Sequence, residues 1–206
     1  MSRVITVAAP SVCEREILRY AGCRTADEQV AALLHACLAE ALPVLTYTAC
    51  VDEVETTPFT AESEKLAAFL QNRQRVTLLA ATVGVGLDRL IRKYAVISPA
   101  KAVMLQAIGT ERAEALCDTV CAGLAAEYGF AASARFSPGY GDLPLTLQRE
   151  VLERLQAGRI GISLNDSMLM SPSKSVTAFV GFSDQANRAD KCRACDKVDC
   201  AFRGAL

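Results

Sequence analysis

Hydrophobic and polar residues follow one another along this chain in patterns that predict both strands and helices. Residues 4–8 and 45–54 alternate weakly, and the second stretch is rich in Thr and Val, as expected of half-buried strands. Residues 76–82 form a continuous apolar run with β-branched side chains, which predicts a central strand. Further short strands are predicted at 132–136, 160–164, 168–170 and 176–182.

Apolar residues recur elsewhere at intervals of three and four, as on the buried face of a helix. The Thr25-Ala-Asp-Glu28 sequence is typical of a capping box and predicts a helix from there to about Ala41. Pro99 suits the first turn of a long helix that runs to about Tyr128. Shorter helices are predicted at 13–20, 60–70, from 87 onward and at 145–155.

The order of these elements predicts the α+β class. Strands that follow one another closely near the end of the chain favour antiparallel pairing, and long helices must cover a face of the sheet. We expect one domain over residues 1–183. From Asp184 the composition changes, because nine of the last 23 residues are charged and three are cysteines. Residues 184–206 are therefore predicted to form an appended Cys-rich tail.

Composition narrows the classes of function. The 206 residues carry a net charge of −1, which argues against nucleic acid as a partner. No apolar stretch approaches the ~20 residues of a membrane span, and the N-terminus lacks the pattern of a secretory signal. We therefore expect a cytoplasmic protein with reduced thiols. A single histidine makes a multi-histidine metal site impossible.

The tail carries the most specific metal-binding pattern. Cys192, Cys195 and Cys200 form a C-x-x-C-x-x-x-x-C sequence. Three thiolates at this spacing can share one metal centre, and thiolates favour zinc, copper(I) or iron–sulfur clusters. The absence of a nearby histidine favours an iron–sulfur cluster over zinc, and a fourth ligand would have to come from elsewhere. The alternative is that these are solvent-exposed thiols, or that Cys192 and Cys195 form a redox pair.

The remaining cysteines, the histidine and a glycine pair have simpler interpretations. Six cysteines are predicted as small apolar core residues: Cys13, Cys23, Cys37, Cys50, Cys117 and Cys121. His35 is predicted to be a partly buried helix residue. Gly84 and Gly86 follow a strand and open a helix, but Arg89 replaces the third glycine of a dinucleotide-binding fingerprint, so a tight turn is favoured.

A second candidate site lies between Arg135 and Tyr140. Arg135 ends a predicted strand, and its guanidinium can hold a carboxylate through two parallel hydrogen bonds. Gly139 allows a ligand to approach the backbone, and Tyr140 offers an aromatic face with a hydroxyl. These groups together suit a small zwitterion with an aromatic part, although a surface arginine in an ordinary loop has the same sequence.

This R-x-x-x-G-Y segment resembles the S-adenosylmethionine-binding motif of the activation domain of cobalamin-dependent methionine synthase. Residues 164–172 are similar to that family's L-T-E-S-x-A-M-x-P segment, and 175–177 to its S-V-S. Residues 115–118 resemble its A-L-A-D helix, and 17–22 resemble its short stand-alone members. The resemblance covers most of residues 1–183 and is strongest from residue 115 on.

The resemblance implies a single α+β domain with a bent, mostly antiparallel sheet and surrounding helices. It implies that Arg135 holds the methionyl carboxylate of S-adenosylmethionine, with the backbone of Ser137 and Gly139 and the side chain of Tyr140 completing the site. It also implies reductive re-methylation of cob(II)alamin. We expect the cobalamin on a corrinoid-binding partner protein or methyltransferase, and an electron donor that the sequence does not name.

Some family features are absent. Ala122 stands where the family has an acidic ligand, and the Cys-rich tail replaces its paired tyrosines. The homocysteine, folate and cobalamin modules are missing, so we expect a stand-alone activator and not a complete methionine synthase. Two other functions remain open at this point. One is a small-ligand binding module or scaffold with structural zinc in the tail, and the other is an independent small-molecule methyltransferase.

Overall fold

The computed structural model describes residues 2–184 except 24 and 56, and it confirms an α+β domain. The strands are β1 (Arg3–Thr6), β2 (Thr48–Glu53), β3 (Arg75–Thr82), β4 (Ala131–Phe136), β5 (Ser163–Leu164), β6 (Met170–Ser171) and β7 (Ser175–Ser183). The helices are α1 (Glu14–Tyr20), α2 (Glu28–Ala41), α3 (Thr57–Thr60), α4 (Glu64–Leu70), α5 (Gly86–Ile97), α6 (Pro99–Tyr128) and α7 (Leu147–Leu155). Two short 3₁₀ helices, Leu42–Val44 and Ala157–Ile160, complete the described elements.

Five strands form the main sheet in the order β1-β2-β3-β7-β4, and every neighbouring pair is antiparallel. The apolar run at 76–82 becomes β3 in the middle of this sheet, as predicted. The register between β4 and β7 shifts between Ala132 and Arg135. There the Ser133 hydroxyl accepts a hydrogen bond from the Gly181 N–H at 2.9 Å, which replaces a ladder bond at the irregularity. The strands β5 and β6 pair separately as a small hairpin.

Helices cover both faces of the sheet, because successive side chains of the central strands point to opposite sides. Leu79 of β3 and Val180 of β7 face the core formed with α1, α2, α5 and α6. Leu78 and Phe179 face a second core formed with α3, α4 and α7. The result is a three-layer arrangement in which α6 crosses one face of the sheet.

Helix α6 confirms the long helix predicted after Pro99. Its 30 residues extend about 45 Å at 1.5 Å per residue. It ends at Gly129, which adopts the left-handed conformation with φ of 71°. No helix among residues 2–23, 25–55 and 57–184 is long and apolar enough to cross a membrane.

Several predicted boundaries differ from the structure. The α2 helix is capped by the Asp27 side chain, which accepts from the Val30 N–H, and not by Thr25, so it starts at Glu28. The α4 helix is capped by Ser63 and begins after the predicted start at residue 60. The predicted strand at 160–164 shortens to β5, because 3₁₀ geometry extends to Ile160. His35 is exposed instead of partly buried, with its Nε2 3.3 Å from Glu14.

The turn at Gly84 and Gly86 has the tight geometry that was predicted. Gly84 has φ of 84°, in the region that favours glycine. A Cβ at Gly86 would lie 2.4 Å from the Val44 carbonyl oxygen, and one at Gly84 would lie equally close to the Thr46 hydroxyl. The protein's own chain therefore packs against both glycines.

Candidate functional site

Arg135 lies near the end of β4 and points toward α6. It pairs with Val180 across the ladder, and Phe136 pairs with Phe179. Directly opposite residues share a face of the sheet, so Arg135 projects to the α6 side and Phe136 to the other side. The Arg135 side chain is only 9% exposed.

Two carboxylates on α6 hold the Arg135 guanidinium. Its Nη1 donates to Asp118 Oδ1, and its Nη2 donates to Glu114 Oε2. The two acidic residues are four positions apart and thus share one face of the helix. Burial alone would lower the pKa of Arg135, but the surrounding acidic groups of α6 outweigh it and raise that pKa. Arg135 is therefore a fixed, permanently charged group between β4 and α6.

The segment after β4 is a compact turn. The Tyr140 N–H donates to the Ser137 carbonyl at 3.0 Å, and the Gly139 N–H donates to the Leu143 carbonyl at 2.9 Å. Gly139 adopts φ of 88°, which explains why glycine stands there. Since its amide is already engaged, the group that Gly139 can offer a ligand is its carbonyl.

Tyr140 lies on the Phe136 side of this turn. The two rings are 6.1 Å apart in an edge-to-face arrangement, and Tyr140 is 53% exposed. Asp142 fastens the turn to the start of α4, where it accepts from the Ser63 hydroxyl and from the Lys65 N–H at 3.2 Å. Arg135 and Tyr140 thus flank the end of β4 from different faces, and the turn through Ser137 and Gly139 joins them.

A cavity of about 390 Å³ lies beside the Arg135 ion pairs. Its walls are formed by the segment that precedes α1, by α1 itself and by the middle of α6. They include Ser11, Cys13, Glu16, Tyr20, Glu111, Glu114, Asp118 and Thr119. The volume lies within the usual range for small-molecule sites, about 300–1,000 Å³. The walls offer four carboxylates and one aromatic ring, so the cavity suits a ligand that carries positive charge.

A buried ion pair holds the N-terminal wall of the cavity in place. Arg112 is fully buried and donates to Glu111 Oε2 at 2.5 Å, and also to the carbonyls of Pro10 and Ser11, both at 2.6 Å. Glu111 in turn accepts from the Cys13 N–H at 3.0 Å. The segment from Pro10 to Cys13 is therefore fixed to α6 by hydrogen bonds to two adjacent side chains.

Sequence reasoning did not single out Glu111, Arg112 or Glu114. A signal was present for the first two, because they follow Ile108 by three and four residues and so fall on the buried face of the helix. A charged pair at such positions indicates a buried polar network. For Glu114 no local signal exists, since its partner lies on a different element.

Two of the six cysteines predicted to lie in the core are not buried. Cys37, Cys50, Cys117 and Cys121 are buried, as predicted, but Cys13 is exposed and Cys23 is intermediate. Burial raises the pKa of Cys117 to about 12, so this thiol stays protonated. Within the described part of the chain, no group of three or more Cys, His, Asp or Glu side chains is placed to hold a metal ion. The tail residues Cys192, Cys195 and Cys200 lie outside the described residues.

Comparison with known proteins bears on the fold. No protein-family profile matches this sequence, and no curated protein matches it. Among solved structures, the chain is similar to the crystal structure of the MetH reactivation domain bound to AdoHcy, with a TM-score of 0.58 and 15% identity. The match covers 88% of this chain and 78% of that chain. An activation-domain-like fold, which the sequence resemblance implied, is thereby confirmed.

Proposed function

We propose that this protein binds S-adenosylmethionine in the cavity between the N-terminal segment and α6. The observation that carries the proposal is the buried Arg135, whose two carboxylate partners both line the cavity. Its forked guanidinium suits the methionyl carboxylate. The surrounding carboxylates suit the ammonium and sulfonium charges, and the fold is that of a domain solved with S-adenosylhomocysteine, the demethylated form of the same molecule.

The groups after β4 complete the proposed site. The Gly139 carbonyl and the backbone of Ser137 would contact the nucleoside part of the ligand, because the turn that contains them follows Arg135 closely in the sequence. Tyr140, which is half exposed, would close the site from the Phe136 side. This assignment extends the resemblance residue by residue. The four assigned residues stand outside the cavity lining, and Arg135 meets that lining through Glu114 and Asp118.

The biochemical role we propose is reductive re-methylation of a corrinoid bound to a partner protein. A low-potential one-electron donor first reduces Co(II) to Co(I). Co(I) then attacks the sulfonium methyl group, the cobalt–carbon bond forms, and the sulfur–carbon bond breaks with its electron pair kept by sulfur. The residues of this chain hold and orient the methyl donor and transfer no proton, because the reaction moves one electron and one methyl group.

We also propose that the tail cysteines bind a metal centre, with an iron–sulfur cluster that passes the electron as the first choice and zinc as the second. The burial of four of the other cysteines leaves Cys13 and Cys23 as the described thiols that a tail could reach for a fourth ligand. Anaerobic reconstitution with iron and sulfide should give visible cluster absorption that Cys192→Ser abolishes. Zinc without iron in anaerobically purified protein would contradict the electron-relay role.

Calorimetric titration with S-adenosylmethionine tests the ligand. Wild type should bind, Arg135→Ala should lose binding, and Arg135→Lys should weaken it, because lysine keeps the charge but not the planar set of five N–H donors. Arg92→Ala, an exposed arginine on α5, is the matched control and should bind like wild type. Melting temperatures show whether each variant is folded. Equal binding by wild type and Arg135→Ala would mean that the site lies elsewhere.

The role as an activator needs a second experiment. A partner corrinoid protein, a reductant and methyl-labelled S-adenosylmethionine should yield labelled methylcorrinoid only when this chain is present. Label transfer to a small molecule without any corrinoid would instead favour an independent methyltransferase.

A further inference from the structure

The Arg135 guanidinium is already engaged by two carboxylates before any ligand enters. Its Nη1 and Nη2 each donate to a different acidic residue, Asp118 and Glu114. A ligand carboxylate that approaches the Nη1 or Nη2 donors from the cavity must replace one of these partners. The competition between ligand and protein carboxylates is built into the site.

The two competitors differ in how easily they can leave. The Asp118 side chain is 73% exposed, while that of Glu114 is 40% exposed. An exposed ion pair contributes little stability, so moving the Asp118 carboxylate into water is the less costly exchange. Glu114 then keeps its contact with Nη2, and the ligand takes the Nη1 side.

We propose that Asp118, together with Glu114, makes this site selective for the net-positive sulfonium ligand over its neutral thioether product. The inference rests on the proposed function and adds a specificity-determining residue to it. When the ligand carboxylate displaces Asp118, the released carboxylate stays at the cavity wall. The ammonium of the ligand offsets the ligand's own carboxylate, so the excess negative charge of the cavity remains, and the sulfonium charge is what compensates it.

The charge balance of the surroundings points the same way. Four carboxylates line the cavity and three guanidinium groups pair with them, so one negative charge remains. The carboxylates belong to Glu16, Glu111, Glu114 and Asp118, and the guanidinium groups to Arg19, Arg112 and Arg135. S-adenosylmethionine carries one positive charge more than S-adenosylhomocysteine. At the few ångströms' separation inside the cavity, one such charge changes affinity by about five- to tenfold.

This preference has a consequence for turnover. Once the sulfonium has given up its methyl group and its sulfur has kept the electron pair, the ligand loses the charge that offset Asp118. Asp118 can then return to Nη1 of Arg135 and displace the product carboxylate. The same ion pair that resists binding of the product restores the starting state of the site.

The test is calorimetric titration of S-adenosylmethionine and S-adenosylhomocysteine, each into wild type, Asp118→Asn and Glu127→Gln. Glu127 is the matched control, because it is an acidic residue of the same helix that pairs with Arg3 at 2.8 Å, away from the cavity. We expect wild type and Glu127→Gln to prefer S-adenosylmethionine about five- to tenfold. Asp118→Asn should bind S-adenosylhomocysteine more tightly than wild type does and narrow the preference to about twofold.

The salt dependence of the affinity ratio shows whether the preference for S-adenosylmethionine arises from charge or from packing. Raising the ionic strength should narrow the wild-type preference and leave that of Asp118→Asn nearly unchanged. Binding of both ligands with the same preference in wild type and Asp118→Asn would overturn this inference and leave the proposed function intact. Failure of wild type to bind either ligand would overturn the proposed function, and this inference with it.

Discussion

Arg112 donates hydrogen bonds to Glu111 at 2.5 and 2.6 Å, although the two residues are adjacent in the sequence and the guanidinium is fully buried. Burial alone would lower the pKa of Arg112, but its bonds to Glu111 outweigh that effect and raise it. Two further donors of Arg112 hold the carbonyls of Pro10 and Ser11. The pair therefore links the N-terminal segment to the longest helix of the domain.

Removing the positive member of this pair should strongly destabilise the protein. Arg112→Met leaves the Glu111 carboxylate buried without its charge partner, which costs about 3–5 kcal/mol in the free energy of unfolding. Urea denaturation measures this, with Arg92→Met as the exposed control. The double variant Glu111→Leu/Arg112→Met should recover part of the loss, because it removes both charges. A loss below about 1 kcal/mol for Arg112→Met would contradict the buried-pair interpretation.

Gly86 should not tolerate a side chain. A methyl group at this position would lie 2.4 Å from the Val44 carbonyl oxygen, and backbone must move to relieve the overlap. We expect Gly86→Ala to lower stability by about 1–3 kcal/mol, as in other overpacked sites. Gly123→Ala is the control, since Gly123 is within α6 with open space at its Cβ position. That change should stabilise the protein by about 0.5–1 kcal/mol, so the two variants should move the denaturation midpoint in opposite directions.

The attachment of the turn after β4 should depend on pH through Asp142. The hydrogen bond from the Ser63 hydroxyl lowers the pKa of Asp142. A carboxyl group with a lowered pKa in the folded state stabilises that state above its unfolded pKa, about 3.9, and the contribution is lost as pH falls through the folded pKa. Asp142→Asn should therefore melt below wild type at pH 6, and the gap should narrow as the pH falls through the lowered pKa of Asp142. Ser63→Ala should keep part of its gap at every pH, because it also removes the N-cap of α4. A gap for Asp142→Asn that stays constant across this range would contradict the assignment.

Thiol reactivity should separate the cysteines by burial. Cys13 is exposed and should react with a maleimide in the native protein. Cys117, whose pKa burial raises to about 12, should react only after denaturation. Peptide mapping by mass spectrometry measures each site separately, with Cys13→Ser as the control for the native signal. Labelling of Cys117 at a rate similar to that of Cys13 would show that α6 opens readily from the sheet.

Local patterns predicted most of the fold, because they report local physics. The apolar run at 76–82 and the spacing after Pro99 identify β3 and α6 almost to the residue. Helix boundaries were harder to predict, because they depend on which residue caps the helix. Both Thr25 and Asp27 are suitable N-caps, and only the folded structure shows that Asp27 caps α2. The strands β5 and β6 have two residues each, too few to show a period.

The candidate site was predictable only in part. Arg135 and the turn to Tyr140 form one contiguous motif, so sequence could identify them together. The partners of Arg135 lie 17 and 21 residues away on another element, and no local pattern encodes that contact. Cys13 was predicted to be a core residue, because the sequence next to an amphipathic helix is the same whether the cysteine faces inward or lies exposed at the N-cap position.

Glu111, Glu114 and Asp118 lie along a single face of helix α6. The residue that holds the N-terminal segment and the two residues that bind Arg135 are therefore within two turns of the same helix. One wall of the cavity is therefore a single continuous helix, along which these side chains keep a fixed spacing. The backbone that carries these three carboxylates is therefore fixed before any ligand binds, and the displacement proposed for Asp118 needs a change of its side chain only.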